Sequence, residues 1–162
     1  MATGKRKGTF KKVLIGLLVV FGIMQFFRID KTNPKVEKAK DFLAITQPPA
    51  DIEKMIRSAC YDCHSNETVY PWYSNVAPVS WFLSHHIEEG REHLNFSVWG
   101  DYKEGKANHK LHECEEELEE GKMPLNSYTW THGDAKLSDQ QKKKLAEWFE
   151  SQMTESEESR EY

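Results

Sequence analysis

Three residues in the stretch "SACYDCHSNET" could do chemistry together: Cys60, Cys63 and His64. Two thiols spaced by two residues, with an imidazole directly after the second, suit three chemistries. A redox dithiol would sit at the start of a helix, where the dipole lowers a thiol pKa, usually among β-strands. A zinc site would need two more ligands at suitable spacing, and His109, His112 and Cys114 could supply them. Covalent haem attachment needs C-x-x-C-H, and this stretch supplies it in full. Each thiol would add across one vinyl group. The two-residue spacer lets both sulfurs reach one macrocycle, and His64 can then offer its imidazole to the iron.

The haem chemistry asks for a second axial donor. Met123, in "GKMPL", is the expected sixth ligand, because a soft thioether on a loop before a final helix suits low-spin iron. His86 is the fallback. His85 and His86 point about 100° apart on a helix, so at most one of them can face a haem. His93 shares a face with His86, and His132 is a weaker candidate. Trp72, Tyr73, Trp81, Trp99 and Trp130 are candidates to line the crevice. Arg91 is a candidate partner for a haem propionate. Cys114, in "HECEEE", reads as an exposed free thiol.

The elements that would position these groups are helical. "ADIEKMIRSAC" places Ile52, Met55, Ile56 and Ala59 on one face of a 3.6-residue period, and the motif follows it. "KTNPKVEKAKDFLAI" reads as a short helix capped by Asn33. Pro78 opens a helix that Gly90 interrupts or ends. "ANHKLHECEEELEEGKMP" reads as a solvated helix stopped at Gly121. "LNSYTWTHGDAK" reads as loop. The last helix starts at a Ser138–Gln141 capping box and presents Leu145, Trp148 and Phe149 on one face. No strand-like alternation, internal repeat, phosphate loop or nucleophile elbow is present. The expected class is all-α: a small cytochrome c-like helical domain with long aromatic-rich loops.

The apolar run "VLIGLLVVFGIMQFF" follows a basic start. With no small-residue cleavage pattern after it, the run reads as an uncleaved transmembrane anchor. The resulting map is a cytoplasmic basic tail over 1–12, a transmembrane helix over 13–29, a stalk over 30–47, the haem domain over 48–153 and an acidic disordered tail over 154–162. The expected location is a bacterial inner membrane, crossed once, with the domain in the periplasm.

The net charge is −4, and residues 1–28 hold cations but no acid, so the remainder is strongly acidic. That argues against a nucleic-acid partner. Three cysteines also leave a simple disulfide framework one short.

"CYDCHSNETVYPWYSNVAPVSWFLSHHIEEGREHLNFSVW" and the later "MPLNSYTWTHGDAKLS" resemble the haem-binding domain family of exported bacterial proteins, from about Ile52 to Phe149. The resemblance implies one covalently attached haem c, with Cys60 and Cys63 as attachment sites and His64 as axial ligand. The leading expectation is one-electron transfer with His/Met ligation, to redox partners of the respiratory chain, rather than an enzyme. The alternative is a five-coordinate haem enzyme or sensor, peroxidase-like or gas-binding, with a distal histidine. A structural haem module within a larger complex is the third reading.

Overall fold

The computed structural model describes residues 3–153, and every regular element among them is helical. The chain forms two compact units, Met1–Thr32 with Tyr70–His86, and Asn33–Val69 with Ile87–Tyr162. The acidic tail expected over 154–162 lies outside the described residues.

In the first unit, helix α1 spans Thr3–Met24. It begins well before the apolar run and stops before Gln25. Its uncharged part, Val13 to Met24, is therefore about 18 Å long at 1.5 Å per residue, against a hydrocarbon core of about 30 Å. No helix among the described residues is long and apolar enough to cross a membrane. This corrects the expected anchor over 13–29, and with it the single-pass inner-membrane location. The Gln25 amide instead pairs with the backbone of Ala77. Its Nε2 donates to Ala77 O at 2.9 Å, and its Oε1 accepts from Ala77 N at 3.0 Å. Trp81 Nε1 donates to Phe27 O at 2.7 Å. Trp81 is thus tied to the backbone of its own unit.

The second unit holds the core. Asp41, buried, accepts from the amides of Leu43 and Ala44 and so caps helix α2, Phe42–Thr46. It also accepts from the Tyr61 hydroxyl at 3.0 and 3.1 Å through its two oxygens. This cap displaces the expected start at Asn33, whose side chain bonds elsewhere. Residues 30–47, expected as a stalk, thereby contribute Phe42 and Leu43 to the core. Helix α3 (Ala50–Ala59) buries Ile52, Met55 and Ile56, the face its period predicts. Helix α4 (Tyr61–His64) is the cysteine motif itself. Helix α5 (Val79–His93) runs straight through Gly90.

Helix α6 (Glu104–Glu119) buries Leu111 and Leu118. Helix α7 (Asn126–Thr129) lies in the segment expected to be loop. Helix α8 (Asp139–Ser151) carries the predicted Ser138–Gln141 capping box and buries Leu145, Ala146 and Phe149. Gly121 ends the descent from α6 at φ 69°, a left-handed conformation that glycine adopts without strain. The amides of Lys122 and Met123 then both donate to Glu117 O at 3.0 Å, which turns the chain back along α6. This turn is what carries Met123 to the site.

Candidate functional site

The motif forms one helical turn. Cys60 N bonds Ile56 O at 2.9 Å, so the turn grows out of α3, but the Cys60 backbone (φ −122°, ψ −41°) breaks the helix axis there. His64 N closes onto Cys60 O at 2.9 Å. Ser65, fully buried, ends the turn by donating its hydroxyl to Tyr61 O at 2.7 Å and accepting from Glu67 N at 2.9 Å. Asp62, between the cysteines, ties the turn to two other segments. Its Oδ1 accepts from Val69 N at 2.9 Å and its Oδ2 from the Tyr128 hydroxyl at 2.7 Å.

His64 is the best-defined group. Its Nδ1 lies 2.9 Å from Gly90 O and 3.2 Å from Leu94 O. Both partners are acceptors, so Nδ1 carries the proton and Nε2 keeps its lone pair. Burial holds the His64 pKa below the usual histidine value, against the opposing pull of the two carbonyls. A neutral imidazole with its outer nitrogen fixed by carbonyls is the form that binds a metal.

Gly90 makes this arrangement possible. A Cβ there would lie 2.8 Å from the Cys63 carbonyl oxygen, so α5 approaches the motif more closely than any side chain would allow.

A cavity of about 440 Å³ opens beside the motif, lined among others by Cys60, His64, Phe96, Cys114, Met123 and Phe149. Its size falls in the range of cofactor sites. The structure thus brings Cys60, His64 and Met123 to one cavity, and Cys63 lies on the same helical turn. The lining does not include His86. That side chain belongs to the first unit, where its Nδ1 lies 2.9 Å from Phe82 O and its ring packs 4.0 Å from the Phe82 ring. His93 lines the cavity, whereas His85 and His132 do not.

Several expected roles fall to other residues. Trp99 is in the core beside Phe42, Trp72 and Trp130 are exposed, and none of the five candidate aromatics lines the cavity. Phe96 and Phe149 do so instead. Cys114, expected as an exposed thiol, lines the cavity. Ala107, Leu111, Cys114 and Leu118 repeat at helical spacing, a period that carries the inward-facing signal the acidic neighbours of Cys114 obscured.

Arg91 does not line the cavity. Its guanidinium donates to Ser65 O at 2.7 Å, to Asn33 Oδ1 at 2.9 Å and to Thr68 Oγ1 at 2.9 Å, clamping the loop after the motif. Arg91→Met is expected to destabilise the fold by about 2–3 kcal/mol, since charge-assisted bonds to partly buried partners are lost. Arg91→Lys should recover a minor part, because a single ammonium nitrogen lacks the spread, planar donors that reach Ser65, Asn33 and Thr68 from Nε and Nη2. Urea midpoints of the two variants check both statements.

The thiols bear on the alternatives. Burial, then the neighbouring Cys63, pushes Cys60 up to about 12, and burial, then Asp62, pushes Cys63 up to about 11. A dithiol reductant needs the opposite shift. Among the described residues no group of three or more His, Cys, Asp or Glu is arranged to hold a metal ion, which removes the zinc reading built on His109, His112 and Cys114. His109 and His112 lie on the wet face of α6, beside Glu113 and Glu115. A neutral imidazole, protonated thiols, a thioether and apolar walls are a donor set that suits haem.

A family model described as haem-binding domain matches residues 19–151. No curated protein and no solved structure matches the chain significantly.

Proposed function

The chain belongs to the haem-binding domain family, and from that premise we propose that it holds one haem c and passes single electrons to and from a protein redox partner, such as one of the respiratory chain. Cys60 and Cys63 are the attachment residues. Each thiol would add across one vinyl group, its sulfur to one carbon and its hydrogen to the other, so attachment would need no oxidant. The protonated state of both thiols is compatible with this addition. When bound, the haem supplies an iron that alternates between ferric and ferrous states.

His64 and Met123 are the residues that would hold its iron. The observation that supports this pair is that both line one cavity, with His64 Nδ1 engaged by Gly90 O and Leu94 O. The carbonyls hold the ring in one orientation and one tautomer. They also make it a better donor, which favours the ferric state. Met123 favours the ferrous state, so the pair sets the potential above that of a bis-histidine site. Two protein ligands leave no open position, which suits electron transfer rather than substrate binding. The apolar walls, Phe96 and Phe149 among them, exclude water and limit solvent rearrangement during electron transfer.

The test uses the full chain produced with the c-type haem maturation machinery. The expected result is haem that stays on the protein in denaturing alkaline pyridine, and none in Cys60→Ala/Cys63→Ala. Met123→Ala should lose the sulfur-to-iron absorption band of the ferric protein and leave a high-spin or water-ligated iron. A native protein that is covalently loaded yet high-spin would replace this reading with the five-coordinate one. Haem that leaves on denaturation would remove the attachment roles of Cys60 and Cys63.

A further inference from the structure

Helix α6 gives the cavity a charged edge. Lys110, Glu113, Glu116 and Glu117 all line it; Glu113 is three residues from Lys110 and from Glu116 and four from Glu117, so these side chains share one side of the helix. Among the residues that line the cavity, Lys110 is the one lysine or arginine. Its side chain is only 12 % exposed, and its ammonium meets the Glu113 carboxylate. A lysine is rarely buried so deeply. A pair between residues three apart forms equally well on the open face of a helix, so Glu113 does not by itself explain why Lys110 lines the cavity. The depth of the side chain is explained if its charge serves whatever fills the space.

We propose that Lys110 is the carboxylate-binding residue of this cavity and that it pairs with a haem propionate. This rests on the haem reading above. Arg91, the residue that the sequence offered for the role, is committed to Ser65, Asn33 and Thr68. The three glutamates sharpen the requirement. Without Lys110, an occupant carrying two carboxylates would meet only like charge along this edge, and like charges close together repel. Glu113 then has a second role. It holds the ammonium in place and yields it, or shares it, when a propionate arrives.

The experiment compares haemin with haemin dimethyl ester, in which both carboxyls are blocked. The protein is the full chain carrying Cys60→Ala and Cys63→Ala, so that binding is reversible and can be titrated optically. Haemin is expected to bind about tenfold more tightly than the ester, the size of one charge-assisted contact. Adding Lys110→Met should abolish that preference, and Lys110→Arg should retain it. A preference that survives Lys110→Met, or that is absent from the parent, overturns the proposal.

If the double-alanine chain binds neither compound, the covalently loaded protein decides through its resonance Raman propionate-bending band. A shift in Lys110→Met that Lys110→Arg does not show supports the assignment, and no shift overturns it. Failure of the haem reading is seen separately, as a native chain that carries no haem at all.

Discussion

Gly90→Ala is expected to destabilise the protein by about 1–2 kcal/mol and to disturb the iron site, although alanine is the better helix former. In an open helix the exchange should gain up to about 1 kcal/mol. At position 90 the added carbon would meet Cys63 O at 2.8 Å, Cys63 C at 3.2 Å and Cys63 Cβ at 3.3 Å. The first two are backbone atoms of the Cys60–His64 turn and cannot swing aside. Either α5 or the motif must move, and overpacking of this kind costs about 1–3 kcal/mol. The movement acts on the carbonyl of residue 90 itself, which accepts from His64 Nδ1 at 2.9 Å. Both the urea midpoint and the haem absorption spectrum should therefore change. Gly105→Ala is the control, since nothing lies within 4 Å of a Cβ there. It should leave the spectrum alone and leave stability unchanged or slightly raised. If the two variants behave alike, the close approach of α5 to the motif is not what positions His64.

Phe42→Ala is expected to cost about 3–5 kcal/mol, the range for deleting a buried aromatic ring. Phe42 is fully buried, and its ring packs against four others: Phe96 at 4.9 Å, Trp99 at 4.6 Å, Trp148 at 5.8 Å and Phe149 at 6.1 Å. Phe96 and Phe149 also line the cavity, so the void left by Phe42 would open behind its walls. A domain is stable by about 5–15 kcal/mol, so this one change removes a large part of the total. Phe42→Leu should cost less, about 1–2 kcal/mol, since most of the buried apolar area remains. Urea unfolding with an unchanged m-value is the measurement. A cost under about 1 kcal/mol for Phe42→Ala would mean that residues 41–46 do not belong to the folded core.

The parts of this protein that were legible in the sequence are those encoded by local patterns. Ile52, Met55 and Ile56 announced the buried face of α3 through spacing alone. Ser138 and Gln141 announced the start of α8, because a capping box is made by residues three apart. Cys60, Cys63 and His64 pointed to a haem-binding chain, which the family match over residues 19–151 bears out, because their spacing is local. Other positions misled. The apolar run after Lys12 has the composition of an anchor, but the helix ends at Met24 and its uncharged part is short. The pattern around Asn33 suggested a helix start, yet the buried carboxylate of Asp41 provides the cap that is used.

What only the tertiary structure decided is which distant groups meet. Arg91 and Lys110 are both cations on helices, and nothing local separates them. The fold turns Arg91 onto Ser65, Asn33 and Thr68, and sets Lys110 in the cavity wall. Gly90 read as a helix breaker, because its value lies in a contact with Cys63, far away in the chain. Phe42 read as stalk, because its partners Phe96, Trp99 and Phe149 come from elements much later in the chain. The sequence by itself determined the family and the helical class, since each of these rests on residues close together. The carbonyls that fix His64, the cavity that His64 and Met123 share, and its charged edge rest on residues brought together by packing, and packing depends on the whole chain at once.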